Sequence, residues 1–244
     1  MRVAALADVH GNAPALEAVL AEVEREQPDL IVFGGDLTWG PLPRETLALL
    51  EPLRERARFV RGNAERDLVC FAAGELEPTE RSTWLVEQHG RDGLAFLESF
   101  ASHVVVDVDG LGPTRFVHGS PRNVEEIVTE RTPPERLREL LEGVDERVVA
   151  TAHVHVQYDR RFEQTRLFSP GSVGLPYEGR HGAFWALLGP DVELRHTEYD
   201  VDAAVESLRA STFPLLHERE LPLLLEPISR DEAIEYGESL VFAG

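Results

Sequence analysis

The chain has 244 residues, of which 43% are hydrophobic and 28% charged, the make-up of a soluble globular protein with length for one large domain or two small ones. A formal net charge of -20 argues against any general grip on DNA or RNA, and it requires that a site for an anion be made positive locally by metals or arginines. Cys70 is the only cysteine, so an intrachain disulfide and a thiolate zinc cluster are excluded, and no apolar stretch has the length of a membrane span.

Residues 2–7 read as a fully buried strand ending at Asp8. No small-residue cleavage site follows them, so they are not read as a signal peptide, and cytoplasmic residence is expected. Asn12 is placed to cap a helix carrying Leu16, Val19, Leu20 and Val23 at helical spacing, which Pro28 stops. Residues 30–33 form a second buried strand ending at Gly34-Gly35-Asp36. Pro43 opens a second helix with Leu47, Leu50 and Leu53. Residues 58–61 are a third short strand, ending at Gly62-Asn63. Strand and helix alternating over short links predict a parallel layer, whose ligands bind at the carboxyl ends of the strands.

Residues 65–100 break the pattern. Trp84, Leu85, Leu94, Phe96, Leu97 and Phe100 predict helices, interrupted at Gly74, Pro78 and Gly90, that overhang one side of the site. Beyond them the pattern turns to strands: 103–108, 114–117, 147–150, 158–162, 166–168, 183–188 and 192–199. Asp109-Gly110 and Gly189-Pro190-Asp191 have the composition of hairpin turns. One helix, 134–141, interrupts this half, and another is expected at 201–210. The tail from Leu221 to Gly244 is apolar, then acidic, and suits either wrapping the body or meeting a partner. The expected architecture is two stacked sheets with helices outside. It is read as one domain over 1–244, with 65–100 as a helical insertion near the site and 201–244 as a C-terminal helix and tail.

Five strand ends carry metal-competent side chains: Asp8-Val9-His10-Gly11-Asn12, Gly35-Asp36, Gly62-Asn63, Val117-His118-Gly119 and His153-Val154-His155. Taken singly, each has a plain structural use, as helix cap, turn residue or satisfied core histidine. Taken together they make the ligand inventory of a two-metal centre on loops at one sheet edge. The chain has only three asparagines, Asn12, Asn63 and Asn123, and all lie in or beside these segments.

In order and approximate spacing, these motifs resemble the signature of the calcineurin-like metallophosphoesterases. His118-Gly119-Ser120-Pro121-Arg122 and Ser169-Pro170-Gly171-Ser172-Val173-Gly174 are similar to the small bacterial and archaeal phosphodiesterase branch. The resemblance covers roughly residues 1–200 and implies an α/β fold, a four-layer α/β/β/α sandwich of two mixed sheets. It implies one divalent ion on Asp8, His10 and His155, a second on Asn63, His118 and His153, and Asp36 bridging both. Mixed nitrogen and oxygen ligation suits Mn, Fe, Ni, Co or Zn. The activity implied is hydrolysis of a phosphoester, most directly a phosphodiester, by a hydroxide that bridges the ions and attacks phosphorus in line, with Asp36, Asn63 and His118 at the reacting centre.

One position departs from the pattern. The family's ligand Asn is followed by a His held to protonate the leaving group; here that residue is Ala64, followed by Glu65. Loss of a general acid removes about 10²–10⁴-fold on substrates that need one. Two readings follow: a phosphoesterase for good leaving groups, or a metal-binding interaction module with little or no catalysis. Arg66, Arg122 and Asn12 are candidate phosphate contacts, with a solvated surface role for the arginines and helix capping for Asn12 as the alternatives. His181, in a glycine-flanked loop, is a further candidate for reaching the pocket. The partner expected is a small phosphorylated molecule, a nucleotide or phosphodiester, with a homo-oligomer left open.

Overall fold

The computed structural model describes residues 1–240. The first sheet is built from β1 (Val3–Leu6), β2 (Leu30–Phe33), β3 (Ala57–Phe59), β9 (Ala183–Leu188) and β10 (Val192–Thr197), in the order β10-β9-β1-β2-β3. β1, β2 and β3 are parallel, and β9 and β10 return antiparallel to them. The second sheet takes β4 (Val104–Val108), β5 (Gly112–Phe116), β6 (Val148–Ala150), β7 (Gln157–Phe162) and β8 (Thr165–Pro170), in the order β4-β5-β6-β8-β7. Here β5, β6 and β8 are parallel, and the outer pairs are antiparallel.

The period of two along each strand decides what lies between the sheets. Val3, Ala5 and Val32 point one way and join Phe116, Val148 and Phe168 in an apolar layer between the two sheets. Ala4, Leu6, Ile31 and Phe33 point the other way, into a helical layer. That layer holds α1 (Ala13–Glu26), α2 (Pro43–Leu50), α3 (Asn63–Ala73), α4 (Glu80–Glu98) and α6 (Val201–Arg209), each of which contributes buried side chains to it. On the far side, Leu167 and Tyr158 meet α5 (Pro134–Leu140) and α8 (Arg230–Ser239) through Leu137, Leu140 and Ile234. The result is the four-layer α/β/β/α sandwich expected from the sequence. Each large side chain fully buried in these layers, such as Phe33 or Trp185, contributes roughly 1.5–3 kcal/mol.

Local chemistry sets the helix ends. Asn12 Oδ1 accepts from the Ala15 amide at 3.2 Å, Pro14 sits in the first turn, and Gln27 closes α1 in the left-handed region with φ 49° before Pro28. The third strand ends at Phe59, although the Val60 amide still donates to Phe33 O at 2.8 Å while Val60 bridges to Ala101.

Residues 65–100 form two helices, α3 ending at Ala73 and α4 starting at Glu80, and α4 lies within the outer layer: Leu85, Phe96 and Leu97 are buried against the same cluster as α1 and the first sheet. Only the starts of these helices turn toward the strand ends, where Asp67 and Arg81 line a cavity. After α6 come a π-helical turn over Leu216–Glu220 and α7 (Leu221–Leu225), followed by α8. The apolar and acidic tail thus wraps the body, except for residues 241–244, which lie outside the described residues. Among the described residues, no helix is long and apolar enough to cross a membrane.

Candidate metal centre

The carboxyl ends of β1, β2 and β3 and those of β5 and β6 open on one edge, and the loops that follow them bring all seven candidate ligands together. Two clusters form, Asp8 with His10 and His155, and Asp36 with His118 and His153, with ligand atoms in each within 4.8 Å of one another. Asn63 joins the second cluster, its Oδ1 2.9 Å from His118 Nε2. Asp36 stands between them: Oδ1 is 3.4 Å from His118 Nε2, and Oδ2 is 3.8 Å from His10 Nε2. That is the placement a bridging carboxylate requires.

The backbone makes this convergence possible. Side chains at i and i+2 of a strand share a face, yet His153 and His155 point to different clusters. Both are left-handed, with φ 67° and 58°, as are Asp8 at 53°, His10 at 47° and Asp36 at 55°. Non-glycine residues rarely adopt this region, and clusters of such strain belong to functional sites. Neighbouring backbone pins the turns. The Asp8 amide donates to Gly35 O and the His10 amide to Asp36 O, each at 3.0 Å, and the His153 amide donates to Asp8 Oδ2 at 3.1 Å. Ser172 Oγ donates to Asp8 O at 2.7 Å, and a Cβ on Gly174 would lie 1.8 Å from Val9 O, so only glycine permits the loop to close under the Asp8 turn.

Three imidazoles are held from behind by carbonyls: His118 Nδ1 by Gly34 O at 2.8 Å, His155 Nδ1 by Leu175 O at 2.6 Å, and His10 Nδ1 by Trp39 O at 3.2 Å. A carbonyl can only accept, so each Nδ1 carries a proton and each Nε2 faces the centre. There His10 Nε2 and His155 Nε2 lie 3.1 Å apart, and His118 Nε2 and His153 Nδ1 lie 3.2 Å apart. Among the described residues, Asp8 Oδ1 is buried without a hydrogen-bond partner. Opposed lone pairs beside an orphaned carboxylate oxygen are what a cation would satisfy, and the donor set fits divalent metals.

Without cations, protons do this work. Burial alone would lower His118, but the Asp36 carboxylate overrides it and raises the imidazole to about 10. His155 is raised over the same burial penalty by Asp8. His153 falls to about 4 through burial and the neighbouring His118 charge. Asp36, which burial alone would raise, is held well below the usual carboxylate range by His118.

Glu65 is a residue the sequence reading undervalued. It is 1% exposed, and its carboxylate accepts three backbone N–H groups: Asp36 at 2.8 Å, Leu37 at 2.8 Å and Gly62 at 2.9 Å. It ties the Asp36 turn to the start of α3, where the Ala64 amide donates to Asp36 Oδ1 at 2.9 Å. A Cβ on Gly62 would fall 2.1 Å from Asp36 Oδ1.

The three candidate phosphate contacts lie elsewhere. Asn12 Nδ2 donates to Gly174 O at 2.9 Å, its Oδ1 caps α1, and the residue is buried. Arg66 is engaged by Asp67 and Glu125, and Arg122 by Glu126, in each case because a carboxylate close by captures the guanidinium. None of the three lines the cavity beside the centre, and neither does His181, whose Nε2 meets Leu225 O. That cavity, of about 870 Å³, is lined on the body side by His10, Asp36, Asn63 and Ala64, and its arginines are Arg81 and Arg219. Its far wall comes from the tail, through Leu223, Ile228 and Tyr236. No local pattern announces this wall, because Arg81 meets its partner Glu220 across 139 positions.

A four-layer sandwich with these clusters at its strand ends defines a phosphoesterase-type fold with a candidate dinuclear centre. The chain matches the family model for the calcineurin-like phosphoesterase superfamily domain over residues 1–188 and belongs to that superfamily. It is similar to a metallophosphoesterase from Sphaerobacter thermophilus, with 27% identity, a TM-score of 0.70, and 88% of this chain and 95% of that one covered. A hypothetical protein from Pyrococcus horikoshii shares the fold at 22% identity and a TM-score of 0.79, covering 93% of this chain and 99% of that one. An uncharacterized protein of Methanocaldococcus jannaschii is 23% identical over 236 residues, 87% of this chain and 93% of its own length.

Proposed function

We propose that this protein is a phosphoesterase dependent on two divalent metal ions, acting on phosphodiesters. The observation that carries the reading is the ring of nitrogens and carboxylate oxygens that face one another, while the outer edges of three imidazoles are fixed to carbonyls. Asp8, His10 and His155 would hold one ion, and Asn63, His118 and His153 the other, with Asp36 shared. Ions held there would polarise a phosphoryl oxygen and acidify water, the two contributions that in-line hydrolysis needs. The chain's own part is orientation. Glu65 fixes the Asp36 turn, and the carbonyls of Gly34, Leu175 and Trp39 fix the rings, so ligand geometry does not reorganise during reaction.

Ala64 lines the cavity beside Asn63 with a methyl group where a proton donor would stand. Diesters whose leaving group departs without a proton are therefore the substrates this site suits. The same residue supports the second reading, a metal-binding interaction module without turnover. Metal analysis of the purified protein, with turnover of bis(p-nitrophenyl) phosphate in Mn²⁺, Ni²⁺ or Zn²⁺, separates the two. The enzyme reading expects two ions per chain and turnover abolished in Asp36→Asn. Two bound ions with no turnover of any diester would favour the module, and a chain that binds no metal would defeat both.

A further inference from the structure

We infer that the cavity beside the metal centre takes a phosphodiester whose second ester group is a nucleoside, seated against a wall made by the C-terminal segment. This rests on the phosphodiesterase reading and names its substrate class. The cavity is of about 870 Å³, the size of a small-molecule site. It is anchored at one end on the candidate ligands, and Tyr177 stacks on the His155 ring at 4.6 Å. The remaining surface is largely apolar and aromatic: Trp39 on the body, and Leu223, Ile228 and Tyr236 from the tail. Tyr236 is 66% exposed, so its ring offers an open face beside the cavity.

The tail is a fixed wall. Leu216, Leu221 and Leu224 enter the main core, Arg81 and Glu220 pair at 2.7 Å, and Thr129 and Thr132 both donate to Glu238. The charges around the cavity favour a singly charged diester. The carboxylates of Asp67 and Glu220 are paired to arginines, and Glu232 caps α8. Arg219 lines the cavity with no side-chain hydrogen bond or ion pair among the described residues, as an anion-facing guanidinium would. Arg81, paired to Glu220, stands over the Phe213 ring at 4.9 Å. A nucleobase supplies what these groups lack, a flat uncharged ring for the aromatic wall and carbonyl or ring-nitrogen acceptors for Arg219. An aliphatic chain would offer Arg219 no acceptor.

The test is binding to the metal-loaded full chain, followed calorimetrically, of two diesters with poor leaving groups: dimethyl phosphate and the methyl ester of thymidine 5′-phosphate. The nucleoside ester should bind roughly tenfold or more tightly, the size of one base–aromatic stacking contact. Tyr236→Ala, at an exposed helix position that folding does not need, and Leu223→Asp should each shrink that ratio. Equal binding of the two diesters, or a nucleoside preference untouched by both substitutions, overturns the inference. A phenyl methyl phosphate bound as tightly as the thymidine ester would reduce the site to an aryl pocket and likewise overturn it. Because binding is the readout, a protein that binds the thymidine ester but turns over no diester keeps the inference and removes the catalytic reading.

Discussion

Glu65→Gln exchanges one carboxylate oxygen for an amide NH₂ without changing shape. The native carboxylate accepts from Asp36 and Gly62 on Oε2 and from Leu37 on Oε1. With the amide oxygen in the Oε2 position, the Leu37 N–H faces another donor; with it in the Oε1 position, two N–H groups do. At least one hydrogen bond to a charged group is lost, about 1.5–3 kcal/mol. For a chain of this length that lowers Tm by about 3–12 °C. Burial and the nearby Asp36 carboxylate push Glu65 up to about 7 in the metal-free chain, so the comparison belongs near pH 8.5, where the side chain is ionised. Below about pH 6 the native carboxyl is itself neutral, and the gap to Gln should narrow. The same substitution frees the Asp36 turn, held at φ 55°, and should weaken metal binding at the cluster that contains Asp36. Calorimetric melting with and without metal, plus a metal titration, reads both effects. A Tm within about a degree of wild type and an unchanged affinity would show that the three contacts to Glu65 do not hold the turn.

Metal binding should expel protons. Burial would lower His118, yet Asp36 holds it at about 10, so this imidazole carries an extra proton in the metal-free chain at neutral pH, and Asp8 pushes His155 in the same direction. Titration in two buffers of different ionisation heat should show about one proton or more released per chain, with affinity rising with pH; zero release would contradict the assignment. The stabilisation His118 gives the metal-free chain is complete below its unfolded value and fades as pH rises through about 10. Turnover should depend steeply on leaving-group pKa, and Ala64→His should recover up to about 10²-fold on alkyl esters, less than an oriented acid would give because Glu65 is committed to three amides. A flat dependence in the natural chain would reveal another donor in the cavity.

The ligand set was legible because each side chain closes a short apolar run, and strand ends of a parallel layer meet at one edge. The sandwich was legible for a related reason: strands such as 3–6 and 30–33 are apolar on both faces, which only a sheet covered on both sides explains. What stayed hidden depends on pairing across distance or on backbone sign. A left-handed Asp8 or His153 has no sequence signature, because Asp and His adopt that conformation more often than most residues yet in only a small minority of positions. The far wall of the cavity lies in a tail whose contacts to Arg81 and Glu178 span long stretches of chain. For Arg66 and Arg122 the sequence left a phosphate contact and a surface role open, and the structure pairs both with carboxylates away from the cavity. Asp67 lies one residue from the first, Glu126 four from the second, and such neighbours commit an arginine before any ligand arrives. The helices of 65–100 were periodic enough to predict, but periodicity does not say which layer they join, and α4 joined the outer core.

The strain in the centre gives the last prediction. Asp8, His10, Asp36, His153 and His155 are all left-handed without being glycine. At roughly 1–2 kcal/mol each, they store about 5–10 kcal/mol, comparable with the whole net stability of an ordinary domain. Their amides and the Ser172 and Glu65 contacts offset part of it. The facing nitrogens at 3.1 and 3.2 Å add repulsion that only protons or cations relieve. Protons are the weaker remedy, since burial opposes each imidazolium. Chelation should therefore destabilise the fold as well as stop turnover. Two sites at a hundredfold excess over Kd each contribute about 2.7 kcal/mol. Removing both should lower Tm by about 10–20 °C, reversibly on adding metal back. The measurement is calorimetric melting of dialysed and reloaded protein, with metal content determined on the same samples. If both ions leave and Tm does not move, the turns are held by the chain alone, and the metals are guests of a preformed, unstrained site.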